Sequence, residues 1–161
     1  MFNPVTGQVS DLLDEFMKAS RVPPTFVAVE LKPEDDYPAW ATKRVYRGRL
    51  EVPPGTCECR LDLGVVRDWA TVFVDGSKVA ELWCEPYSLD VAPFLKDGAA
   101  DIRVEVTSTW YNALVHDASL PEAERTTWTK KGPEADAPYH DAGLLGPVRF
   151  FFRTNDKDKE E

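Results

Sequence analysis

The chain has 161 residues, a formal net charge of -9 and a sequence pI near 4.8. That length fits one domain able to bury about 70% of its unfolded surface in a single core, and it falls short of the roughly 250 residues of a (β/α)8 barrel. The acidic balance describes a well-solvated surface and argues against a phosphate-backbone partner, because nucleic-acid binders concentrate Lys and Arg.

The opening residues, MFNPVTGQVSDLLDEFM, carry neither the basic nor the apolar stretch of a signal peptide, and no run approaches the length of a membrane span. Residues 10–20 read as a short helix. Leu12, Leu13, Phe16 and Met17 form one stripe, Ser10 stands as the cap, and Asp11, Asp14 and Glu15 sit near the positive end of the dipole. Pro23-Pro24 ends it. A strand is expected over residues 25–31, followed by a polar loop from 32 to 38.

From Val45 the side chains alternate. Tyr46, Gly48, Leu50 and Val52 share one face, with Arg47, Arg49 and Glu51 on the other. Pro53-Pro54-Gly55 turns the chain. Cys57, Cys59, Leu61 and Leu63 then alternate with Glu58, Arg60 and Asp62. Residues 69–74 are more uniformly apolar, as in a deeply buried strand, and Asp75-Gly76 supplies a type I′ hairpin turn back into residues 78–83. After a turn at Lys96-Asp97-Gly98, Ile102, Val104 and Val106 alternate with Arg103, Glu105 and Thr107. Val148, Phe150 and Phe152 close the pattern. The expected core is Tyr46, Leu50, Val52, Leu61, Leu63, Val72, Val74, Ile102, Val104, Val106, Phe150 and Phe152.

Many short strands with turn signals and little helix point to an all-β sandwich, and no Cys…Trp…Cys pattern supports an immunoglobulin form. The three cysteines are an odd count. Cys57 and Cys59 lie on one side of one strand, where they do not bridge each other easily, and C-x-C without a second pair is a poor zinc signal. They are expected to be reduced, which suits a cytoplasmic chain or a domain of a larger protein; localisation itself is unknown.

Between residues 111 and 146 runs a long excursion rich in Pro, Asp, Ala and aromatics, and long loops in compact domains are often functional. Ser119-Leu120-Pro121-Glu122 resembles a helix start. Ordered motifs follow: Thr109-Trp110, Asn112, Leu114, Asp117, Arg125, Thr127-Trp128-Thr129 and Gly143-Leu144-Leu145-Gly146-Pro147-Val148. With the strand order of residues 61–110, these resemble the sugar-binding-type β-sandwich of bacterial glycoside hydrolases, in particular the terminal domain of α-L-rhamnosidase-type enzymes. The resemblance covers roughly residues 46–152. Ala113, His116 and Ala142 depart from it, standing where the pattern has Arg, Gly and Ser.

The resemblance implies a jelly-roll sandwich of the galactose-binding-like kind, with a short N-terminal helix and one long loop. It implies an accessory role beside a catalytic domain, with carbohydrate or that domain as partner; the charge and the lack of a long apolar run set aside nucleic acid and membrane. The expected divisions are a helical segment over 1–24, the sandwich over 25–153 and a frayed tail over 154–161.

Trp110, Asn112, His116, Asp117, Arg125, Tyr139, His140 and Asp141 are the candidate ligand-binding residues. Aromatic rings stack on the C–H faces of sugars while Asn, Asp, Arg and His bind hydroxyls. Against this, Trp110, Trp128, Tyr111 and Tyr139 also suit anchors pinning the loop to the sandwich, and burial is expected for Trp128, Trp110 and Leu144, as for Trp83 and Tyr87. The pairs His116-Asp117 and His140-Asp141 have no chelating spacing. No cofactor is expected, although relatives of this fold often hold structural calcium and Glu34, Asp35 and Asp36 supply hard oxygen ligands. No Gly-x-Ser-x-Gly elbow, phosphate loop or Cys-His spacing marks a catalytic site. A pure scaffold and, further off, a small hydrolase stay open.

Overall fold

The computed structural model describes residues 25–96 and 98–155, so the helix expected over 10–20 and the end of the charged tail lie outside it. The strands are β1 (Thr25–Ala28), β2 (Lys32–Pro33), β3 (Lys43–Val52), β4 (Thr56–Asp62), β5 (Val65–Arg67), β6 (Trp69–Val74), β7 (Ser77–Leu82), β8 (Ser88–Asp90), β9 (Gly98–Thr107), β10 (Gly143–Gly146) and β11 (Arg149–Thr154). One helix, α1 (Tyr111–Ser119), lies between β9 and β10.

A five-stranded antiparallel sheet, β2-β3-β9-β6-β7, faces a four-stranded one, β1-β11-β4-β8, and β10 pairs with β5 in a small third sheet. The arrangement is an all-β sandwich with open sheets. Strand β3 pairs with β9 along all its length, from Lys43 opposite Thr107 to Val52 opposite Gly98. Period-two alternation over both strands sends Leu50, Val52, Ile102, Val104 and Val106 to one face. They meet Leu61, Phe150 and Phe152 from β4 and β11, whose register sets Phe150 beside Leu61. All the expected core residues are buried.

Turn chemistry also follows the sequence. At the β6–β7 hairpin Asp75 (φ 47°) and Gly76 (φ 80°) both adopt positive φ, as a type I′ turn requires. The deep burial expected for residues 69–74 holds on one face of the strand. Ala70, Val72 and Val74 point inward, while Trp69 is exposed and Phe73 only half-buried. The outer face of this sheet meets water, and the Arg103 guanidinium lies over the Phe73 ring at 3.7 Å from its centroid, covering what packing leaves open.

The three cysteines are free. Burial pushes the Cys59 thiol up to about 12, with nearby Asp90 adding to the effect, so it stays a neutral, inert core group. Cys57 lies two positions earlier at the end of the same strand, exposed, its thiol donating to the Arg153 carbonyl at 3.4 Å.

The excursion is not structureless. Its helix occupies Tyr111–Ser119, so Ser119 ends a helix rather than starting one, and its hydroxyl donates to the His116 carbonyl at 2.6 Å. Asn112, Val115 and the intervening helical spacing turn one stripe inward, and Pro121 cannot extend the helix. The Ser119–Glu122 signal instead yields one 3-10 turn at Glu122–Glu124.

Candidate tryptophan face

The excursion is held by polar side chains, each reaching backbone groups. Asn112, buried on α1, donates from Nδ2 to the carbonyls of His140 (2.8 Å) and Ala39 (3.2 Å), and its Oδ1 accepts from the His140 amide at 2.8 Å. It thereby ties two separate loops to the helix. Asp117, also buried, accepts from the amides of Thr126 (2.8 Å) and Thr127 (3.1 Å) and from both their hydroxyls (3.0 and 2.6 Å). Those bonds, led by the Thr126 amide and the Thr127 hydroxyl, hold the carboxyl below the ordinary carboxylate range against the opposing effect of burial. Arg125 donates from Nε to the Leu120 carbonyl and from Nη2 to that of Ala118, both at 2.9 Å, closing the helix C-terminus. Arg44 does the same for the loop before β3, donating to the carbonyls of Ala41, Pro38 and Ala39.

The glycine motif at the far end is a close approach. The Leu144 amide donates to the Tyr46 hydroxyl at 3.1 Å. Gly143 has φ 97°, and a Cβ there would overlap that hydroxyl, so only glycine fits. Leu144 packs against the core as expected.

The tryptophans do the reverse. Trp110 is 65% exposed and Trp128 86% exposed, which overturns their expected role as buried anchors. The clamp at Asp117 holds Thr126 and Thr127 and leaves Trp128 standing out beside them. Trp83, expected in the core, is exposed, whereas Tyr87 is buried and donates to the Asp68 carbonyl at 2.7 Å.

Two grooves flank the clamp, each bordered by Asp117 and Thr127. One, about 350 Å3, lies among Trp40, Thr42, Trp110, Ala113, His116, Leu120 and Thr126. The His116 ring stacks on Trp40 with centroids 4.4 Å apart and planes 7° apart. The other, about 450 Å3, lies among Leu114, Ala118, Glu122, Arg125, Trp128, Thr129, Gly132 and Pro133. Ala113 and His116, two departures from the rhamnosidase-type pattern, thus border the same groove.

A third cleft, about 520 Å3, is lined by Arg67, Asp68, Thr109, Tyr139, His140 and Asp141. His140 stacks on Tyr111 with centroids 3.8 Å apart, and Asp68 accepts from the Thr109 amide at 3.0 Å. Asp68 and Asp141 are both exposed rather than a buried acid pair.

The eight candidates therefore do not form one pocket. Trp110 and His116 share the first groove with Asp117, Arg125 borders the second, Tyr139, His140 and Asp141 the third, and Asn112 is buried beneath them. Trp40 escaped the sequence reading. Its signal was a lone large aromatic in a polar, proline-bearing loop, a place where burial has little to offer it. Among the described residues no group of three or more His, Cys, Asp or Glu is arranged to hold a metal, and Glu34 spends its carboxylate on Arg47 at 3.0 Å. No helix among them is long and apolar enough to cross a membrane.

No family model matches the chain. A putative β-glucuronidase of Formosa agariphila is 39% identical over 74 residues, which is 46% of this chain and 6% of that protein. The structure of a rhamnosidase from Novosphingobium sp. PP1Y superposes with a TM-score of 0.69 at 26% identity, over 83% of this chain and 16% of its own. Over most of its length the chain is thus similar to one part of a larger glycoside hydrolase. A Faecalibacterium prausnitzii β-glucuronidase shares the fold, with a TM-score of 0.54 at 13% identity over 84% of this chain and 32% of its own. The domain spans only a small part of the length of each of these relatives.

Proposed function

We propose that this chain is a non-catalytic accessory domain whose tryptophan face binds carbohydrate, on a sandwich of the galactose-binding-like kind. One observation carries the reading. Trp110 and Trp128 remain 65% and 86% exposed on a segment that buries Asn112 and Asp117 alongside Val115, and Trp40, from the loop before β3, is 40% exposed across the first groove. Large exposed apolar groups rimmed by polar ones mark recognition surfaces. An indole offers the flat apolar face that a pyranose C–H face covers, while Thr42, His116, Arg125 and Thr129 supply hydroxyl partners at the groove edges. Titration of the chain against a glycan panel, followed by tryptophan fluorescence with and without calcium, tests it. A saturable response to at least one glycan is expected; silence across the panel rejects the reading.

A second reading, support of a catalytic domain through an interface, is favoured by a different observation. Trp69 and Trp83, 44% and 68% exposed, border none of the three grooves. A partner domain seated on them would protect both indoles from solvent quenchers in the larger protein, while leaving Trp128 quenchable.

A further inference from the structure

We infer that the tryptophan face has two adjoining subsites and takes a neutral oligosaccharide chain rather than a single sugar. The inference rests on the carbohydrate-binding reading above and adds the size and charge of the ligand. The two grooves beside Asp117 are neighbours, because Asp117 and Thr127 border both. Each has its own exposed indole, Trp110 in one and Trp128 in the other, so neither depends on the other for a stacking surface. Their volumes, about 350 and 450 Å3, are each within the range of about 300–1,000 Å3 typical of small-ligand sites.

The ridge between them is stiff. Asp117 fixes Thr126 and Thr127 through both amides and both hydroxyls, and the Trp40–His116 stack fixes the far wall of the first groove. A preorganised pair of surfaces loses little freedom on binding, so a ligand long enough to lie across both gains the second contact at small entropic cost. Charge selects its class. The chain carries a net charge of -9, and along the second groove Asp117 and Glu122 outnumber the one cation, Arg125, whose guanidinium already donates to the Leu120 and Ala118 carbonyls, which opposes a polyanionic chain.

The test is calorimetric titration of the full chain with length ladders, from monomer to hexamer, of neutral cello-, xylo- and manno-oligosaccharides, with oligogalacturonate as the anionic control. Affinity should rise by at least about tenfold along one neutral ladder before levelling, the mark of a second tethered contact. Trp128→Ala should flatten that ladder while sparing the shortest ligands, and Trp128→Phe, which keeps a ring, should restore part of the slope. Trp110→Ala should weaken the short ligands too. Equal affinity at every length, or an equal loss at every length in Trp128→Ala, means one subsite and overturns the inference while leaving carbohydrate binding intact. Tighter binding of oligogalacturonate overturns the neutral class. No response to any ladder or to the wider panel rejects carbohydrate binding itself, and the inference falls with it.

Discussion

Between the two sheets, residue type and burial agree along most of each strand: Leu50, Ile102, Val104, Leu61, Phe150 and Phe152 lie inside, Arg47, Arg49 and Glu51 face water, and the buried Arg44 and Arg153 stand near strand ends. In the segment from Thr109 to Gly143 polar and aromatic residues exchange places: Asn112 and Asp117 are buried beside Val115, while Trp110 and Trp128 stand in solvent. The difference lies in what each region must satisfy. Paired strands satisfy their own backbone groups in the ladder, so their side chains are free to follow the hydrophobic effect. An irregular segment has no ladder, and its amides and carbonyls need side-chain partners that only polar residues provide. Asn112 serves His140 and Ala39, Asp117 serves Thr126 and Thr127, and Trp110 and Trp128 are left exposed.

The largest effect should come from the core. Phe150→Ala should cost about 3–5 kcal/mol, read as a shifted denaturant midpoint, because it opens a cavity between the sheets. Asn112→Ala should cost less, about 1–3 kcal/mol, by leaving buried backbone partners unmet. A midpoint shift as large as that of Phe150→Ala would make the helix stripe part of the core proper. Smaller again is the effect of acid on Asp117. Its native carboxyl titrates below the ordinary value of about 3.9, so its contribution is complete above about pH 4 and drains away as pH falls through the native value. The stability gap between wild type and Asp117→Asn should therefore be widest near neutrality and shrink on acidification below about pH 4. A gap constant with pH would contradict the clamp.

The sandwich was legible in the sequence because period-two alternation and the Asp75-Gly76 turn are local signals that agree with the global packing. The clamp residues were legible as important but not in their role. Asn112, Asp117 and Arg125 look alike whether they face a sugar or a backbone amide, and only coordinates separate the two. The helix was misplaced because Ser119 and Pro121 carry start signals, while nine residues with a buried Asn give a weak stripe. The exposure of Trp128 was invisible for a related reason: a large apolar residue argues for burial by default, and what keeps it out is the distant pairing of Asp117 with its neighbours.

This exchange of places is tested most directly by the thermal stability of Trp110→Ala/Trp128→Ala, measured by the loss of tertiary signal on heating. Both rings are exposed, so the double variant should unfold within about 0.5 kcal/mol of wild type, as surface substitutions do. A loss of about 3–5 kcal/mol, the range for removing a buried aromatic, would contradict the account and make these rings anchors of the fold.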